Sequence, residues 1–212
     1  MASILFSLGS WLFPLKDSQQ KVQAKIFTSG KFSNTTRHIT VLSDGSISKQ
    51  ELFICTGVNN SDPRHLLTLT SGLQVMCDTM TDGGEWTIFQ RRVSGAVDFY
   101  RNWTEYKNGF GDFTSGNFYL GNENMYLLTS KNRIELRGRY ASGLAAHKGM
   151  MFSTFDRDND KYSGFNCANY FHGAWWFKSC HNSHLNAGWG TNNLYWMRMY
   201  NTSLNEMKFR AV

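Results

Sequence analysis

Three aspartates alternate in the run FDRDNDK, at Asp156, Asp158 and Asp160 of a 212-residue chain. Like charges so close together repel unless a cation sits among them. Hard oxygen ligands at alternate positions suit calcium. The EF-hand is the first loop to test, and it fails. Its sixth position needs Gly and holds Lys161, and its twelfth needs Glu and holds Cys167. Calcium here would need a different loop, with backbone carbonyls from the following turn KYSG; the alternative is a solvated acidic turn.

The next residues change chemistry. Cys167 and Cys180 bracket the run ANYFHGAWWFKS. A bond between them would close a short loop and hold back its unfolded freedom, worth about 3 kcal/mol at this length. Tyr170, Phe171, Trp175, Trp176 and Phe177 inside it are too many for a surface to carry without purpose. At least one Trp belongs to the core, and the other rings can line a shallow apolar pocket for a small ligand. His172, His181 and His184 lie nearby. No Ser/His/Asp ordering and no H-E-x-x-H accompanies them, so they read as surface or packing residues and the chain as a non-enzyme.

Cys55 and Cys77 complete a set of four cysteines, whose spacing is not that of a zinc site. Four cysteines allow three pairings, and the sequence alone does not choose. Sequons stand at Asn34, Asn59, Asn102 and Asn201. With the even cysteine count they favour an oxidising, secreted, glycosylated setting. The net charge is +6, with basic residues scattered, so nothing forms a phosphate-tracking stripe and nucleic acid is not an expected partner.

Elements must position these groups. Residues 1–15 hold an apolar run with the length of a signal-peptide core, without a basic n-region or a small-x-small cleavage site, and too short and interrupted for a membrane span. Residues 16–54 are polar and turn-rich, with RHITVL as a short strand, and read as a linker or the remnant of an upstream module. From Cys55 the texture changes. GLQVMCD and EWTIFQRR read as strands around the turn TDGG. DFYRNWTEYKNGFG reads as a helix closed at Asn108-Gly109, and GNENMYLLTS as a second helix capped by Asn122. NRIELRG and LNEMKFRAV read as further strands. The class is α+β, with a long irregular last third held by something other than a strand ladder.

The ordered motifs DGGEWTIFQRRVSGAVDFYRNWTEYKNGFGDF, YLGNEN, HKGMMFSTFDRDNDKYSG, NCANYFHGAWWFKSCHNSHLN and EMKFR closely resemble the fibrinogen C-terminal domain, also called the fibrinogen-related domain. CTGVNNSDPRH with GLQVMCDTMTDGG is most similar to the lectin-like fibrinogen-related proteins of molluscs. The resemblance covers residues 55–212. It implies a small disulfide-linked N-terminal subdomain, a central antiparallel sheet and a loop-rich calcium- and ligand-binding subdomain. It implies the disulfides Cys55–Cys77 and Cys167–Cys180. It implies a calcium ion held by the side chains of Asp158 and Asp160 and the carbonyls of Tyr162 and Gly164, with Asp156 in support. The ligand pocket it implies has Phe171 as an aromatic wall. Beside it lies a cis peptide at Cys180-His181 that would aim the His181 N–H inward.

Three departures from the family pattern stand out. Phe165 is an insertion between Gly164 and Asn166. The chain is shortened near 137–146, where the family places strands of its central sheet, and near 188–194, where it supplies another pocket wall. Missing strands would leave unpaired ladder groups. The resemblance implies a secreted, calcium-dependent, lectin-like recognition protein of innate immunity. Its partners would be acetylated or sialylated glycans on microbial or parasite surfaces, and other fibrinogen-related chains in an oligomer, because shallow sugar sites gain from multivalency. The alternatives are a protein-partner or structural module, and a truncated isoform with impaired ligand binding.

Overall fold

The computed structural model describes residues 4–6, 55, 57–58, 61–69, 71–130, 134–137, 141–196, 199–200 and 204–211. Its centre is an antiparallel sheet. Strands β1 (Ile4–Phe6), β2 (Arg64–Thr68), β3 (Gln74–Asp78), β4 (Trp86–Arg92), β7 (Ile134–Arg137) and β11 (Asn205–Ala211) run in the order β1-β7-β11-β4-β3-β2. Two short strands, β5 (Phe110–Asp112) and β6 (Asn117–Tyr119), form a hairpin that joins the sheet through β4.

β4 is the axis because of its composition. Trp, Thr, Ile and Phe suit a strand covered on both faces, and Trp86 through Gln90 are all buried. The chain reaches β4 through a tight turn after β3. Gly84 sits there at φ 79°, and a Cβ on it would lie 2.5 Å from the Thr79 carbonyl oxygen, so the turn needs glycine. Phe89 of β4 stacks on Phe209 of β11, ring centroids 5.9 Å apart, which locks the closing strand against the axis.

Helix α1 (Trp103–Asn108) is shorter than the sequence pattern predicts. It starts at Asn102, whose side chain accepts from the Glu105 N–H while the Glu105 carboxylate accepts from the Asn102 N–H, a reciprocal cap. It ends at Gly109, as its sequence implies. Helix α2 (Asn122–Thr129) begins after Gly121, not with Asn122 as its cap. The Asn122 side chain instead accepts from the Tyr119 hydroxyl at 2.7 Å, so its oxygen is committed to the hairpin.

Seven short strands among the described residues escape the sequence reading, including β1, β2 and β6. β2 is an edge strand whose residues RHLLT show little alternation in burial, so the period-2 signal is weak. β6 is three residues long. β1 lies inside the N-terminal apolar run and pairs with β7 antiparallel, Leu5 opposite Glu135. The outer edge of β7, next to the shortened region, is thus occupied by a strand. RHITVL and the 16–54 segment lie outside the described residues, as do Asn34, Asn59 and Asn201.

The last third is organised around rings instead of strands. Its regular pieces are α3 (Ala141–Ala145), the one-turn α4 (Cys167–Tyr170) and a small sheet of β8 (Ser183–His184), β9 (Tyr195–Trp196) and β10 (Met199–Tyr200). Trp175, Trp176 and Phe177 are fully buried, and Trp176 meets Phe152 edge-on at 4.9 Å. Phe152 in turn meets Tyr106 of α1, which joins this half to the first in one apolar core.

Candidate functional site

Both disulfides close as the family resemblance implies: Cys55–Cys77 at the sheet and Cys167–Cys180 around the aromatic run. No cysteine is free among the described residues. Two hydrogen bonds tie the acidic loop to the second disulfide loop. The Cys167 N–H donates to Asp160 Oδ2 at 2.8 Å, and the Lys161 N–H donates to the Lys178 carbonyl at 2.9 Å.

Within the acidic loop, the Asp160 N–H donates to Asp158 Oδ1 at 3.1 Å and the Tyr162 N–H to Asp160 Oδ1 at 2.7 Å. These local bonds curl the chain so that the two carboxylates come together. Burial pushes the Asp160 carboxyl above its ordinary range, and the adjacent Asp158 charge pushes the same way. Among the described residues no ion pair reaches either of them. Two like charges held in contact with no counter-ion, on an oxygen-only donor set, match what a calcium ion would neutralise. Asp158 and Asp160 would hold such an ion through their carboxylates, with Tyr162 and Gly164 in the exposed turn that follows.

Asp156 stands apart from the pair. Its Oδ1 accepts from the Trp103 N–H at 2.9 Å and from the Thr154 hydroxyl at 2.7 Å, so it fastens the loop to the start of α1. Asn166 caps α4 by accepting from the Asn169 N–H and donates to the Thr154 carbonyl.

On the far side of the disulfide, Phe171 and His181 meet edge to face at 4.5 Å, both half-buried. The His181 ring also lies against Phe177, His184 and Tyr195, and neither of its nitrogens has a hydrogen-bond partner. Burial lowers its pKa to about 4, and the nearby His147 acts in the same direction. The cis peptide expected at Cys180-His181 is absent, because all described peptide bonds are trans. The chain reverses here by another device. Cys180 adopts φ 61°, and the Lys178 N–H donates to the Cys180 carbonyl at 3.0 Å. A left-handed backbone at a residue with a Cβ is disfavoured, and the disulfide and the turn bond hold it.

His147, which the sequence gives no reason to single out, organises the floor. Its Nε2 accepts from the N–H groups of Asn182 and Ser183, at 3.2 and 3.3 Å. That leaves Nδ1 as the protonated nitrogen, donating to the Trp176 carbonyl at 2.8 Å. One neutral ring thus bridges the buried Trp segment and the residues just after His181. Arg92 of β4 secures the next stretch by donating to the carbonyls of Leu185 and Ala187. Asn102, the one sequon within the described residues, is the half-buried cap of α1 and lies outside this site.

A core of rings, two disulfide-closed loops and a paired-acid loop beside the half-buried Phe171–His181 contact define a disulfide-braced fold. The match to a family model settles which one. Residues 56–142 and 139–209 match the C-terminal globular domain of fibrinogen beta and gamma chains, and the chain belongs to that family. The two matched stretches meet at 139–142, within the shortened region. Fibrinogen-like protein A of Apostichopus parvimensis is 36% identical over 186 residues, covering 67% of this chain and 65% of its own length. Fibrinogen C domain-containing protein 1-A of Xenopus laevis is 34% identical over 191 residues, covering 66% of this chain and 41% of its own. The chain therefore spans less than two thirds of the length of these relatives. The fibrinogen-like globe domain of human ANGPTL2 superposes with a TM-score of 0.61 at 30% identity, covering 72% of this chain and 94% of that one. Lamprey fibrin D-dimer, complexed with the peptide Gly-His-Arg-Pro-amide, shares the fold with a TM-score of 0.57 at 24% identity, covering 71% of this chain and 70% of that one.

Proposed function

We propose that this chain is a secreted, calcium-dependent, lectin-like recognition module that binds acetylated or sialylated sugars, as on microbial or parasite surfaces in innate defence. The observation that carries the reading is the coupling of Asp158 and Asp160 to the loop bearing Phe171 and His181. The Asp160 carboxylate is bonded to the N–H of Cys167, the residue whose disulfide fixes Cys180 beside His181. An ion on the two acids would remove their repulsion and stiffen the loop that shapes the pocket. Calcium would supply charge neutralisation and nothing more. The protein groups supply the recognition: Phe171 as an apolar wall for an acetyl methyl, and polar backbone around His181 for the amide. The two closed disulfides support an oxidising compartment.

The test is binding of the purified chain to a glycan array bearing N-acetylated and non-acetylated sugars, with and without calcium. Binding confined to acetylated or sialylated sugars, and abolished by chelation, is the expected result. The peptide complex of lamprey fibrin motivates the protein-partner reading. Binding of Gly-His-Arg-Pro-amide in place of any sugar would favour it.

A further inference from the structure

Between the acidic loop and the disulfide loop runs a line of rings that the proposed pocket does not use. Tyr162 meets Phe165 edge-on at 4.7 Å, Phe165 stacks on Tyr170 at 4.3 Å, and Tyr170 meets Phe171 edge-on at 4.9 Å. Phe171 in turn touches His181, so the line is continuous with the pocket. Tyr162, Phe165 and Tyr170 are 43%, 40% and 60% exposed, which is unusual for three large rings in mutual contact. Phe165 lies at its centre, at the position that the family resemblance marks as an insertion. Without it Tyr162 and Tyr170 would have no ring between them.

The size of the patch limits what can cover it. An aromatic side chain presents roughly 150–250 Å² when free, so at these exposures the three rings offer on the order of 300 Å². A stable protein partner needs about 800 Å² per side. The surrounding Lys161, Ser163 and Asn169 are exposed and polar. By itself the patch falls short of that area, and it is large enough for one or two sugar rings. Aromatic rings carry negative charge on their faces and attract the C–H groups of a pyranose, while the Tyr162 and Tyr170 hydroxyls can bond its rim.

We infer that Tyr162, Phe165 and Tyr170 form a second sugar subsite, which takes the next rings of a glycan whose acetylated end sits at Phe171 and His181. This rests on the pocket reading above, and the ligand class it names is an oligosaccharide instead of a single sugar. The experiment titrates N-acetylglucosamine and its β-linked trimer, in calcium, into the wild-type chain and into Phe165→Ala and Tyr170→Ala. Unchanged melting temperatures establish that the variants fold. The trimer should bind wild type about tenfold more tightly than the monomer, as a stacking contact supplies. Both variants should lose most of that gain and keep the monomer affinity. A wild type that binds monomer and trimer equally overturns the subsite and leaves the pocket standing. So does a trimer preference that survives both substitutions. A wild type that binds neither sugar overturns the pocket and the subsite together. Self-association of the wild type that Phe165→Ala abolishes, without any trimer preference, overturns the subsite in favour of a second copy.

Discussion

The molecule treats its acidic groups in two opposite ways. At the sheet, Asp78 is fully buried and surrounded by protein donors. It accepts from Lys208 Nζ, from the Thr81 hydroxyl at 2.5 Å and from the N–H groups of Met80 and Thr81, with Arg64 at 3.2 Å. Glu206 extends the network to Arg64 and Arg91. Burial alone would push the Asp78 carboxyl up, but the Lys208 and Thr81 hydrogen bonds outweigh it and hold the group far below the usual carboxylate range. In the other half, Asp158 and Asp160 lie together with no ion pair to a basic side chain among the described residues, and Asp160 is shifted upward. Where the fold needs a buried charge for its own stability, it supplies the counter-charge from other strands of the sheet, Lys208 of β11 and Arg64 of β2. Where it leaves two acids together at a surface loop, no basic side chain among the described residues pairs with them, and the proposed calcium would supply the counter-charge.

Breaking the first arrangement should cost most. Lys208→Met leaves the Asp78 carboxylate buried with only its weaker partners and should destabilise the domain by about 3–5 kcal/mol in chemical denaturation. Adding Asp78→Asn should recover part of that loss, because the uncompensated charge is then gone.

Acid should act next, through the histidines of the loop half. His147 is lowered to about 4 by burial, and His184 is lowered well below 6.5 by burial and then by the charges of His181, His147 and Arg92. Both are neutral in the folded chain, while the unfolded chain takes up protons below about pH 6.5. The unfolded state then binds more protons, so stability is full above that pH and falls as pH drops from about 6.5 towards 4. The loss should be on the order of 1–3 kcal/mol. Asp160 opposes it in part, since an acid with a raised pKa gains stability on protonation. Asp78, shifted down, remains ionised in this window and contributes its loss only at lower pH. Denaturation midpoints measured at pH 7, 5.5 and 4.5 check the slope. A midpoint that stays flat would show that these rings are solvated.

Smallest, and of opposite sign to Lys208→Met, is Asp160→Asn without calcium. Removing one of two repelling charges should leave the melting temperature unchanged or raise it by up to about 1 kcal/mol equivalent, against the loss of its bond to Cys167. A large destabilisation in chelator would mean that Asp160 acts as Asp78 does, as a structural acid.

How much of this is written locally explains what the sequence shows. Apolar and β-branched runs around the turn TDGG mark β3 and β4, the pair Asn108-Gly109 marks the end of α1, and the density of rings between two cysteines marks the ring-held third. The alternating acids are legible because their repulsion is a nearest-neighbour effect. Asp78 and Lys208 are 130 residues apart, and His147 lies 35 residues from Asn182, so no window of sequence joins them. The role of Asp156 is hidden for the same reason, since its partner is the N–H of Trp103 across 53 residues. The reversal before His181 was expected from the family as a cis bond. The chain achieves it with a positive φ at Cys180, a backbone choice that residue identity does not encode.

The most direct measurement is a calorimetric calcium titration of the wild-type chain beside Asp158→Asn/Asp160→Asn. The wild type should bind calcium and gain thermal stability, by about 2.7 kcal/mol at a hundredfold excess over Kd, and the double variant should do neither. Equal calcium binding by the double variant, or no binding by the wild type, would contradict the assignment of these two carboxylates as an externally neutralised pair.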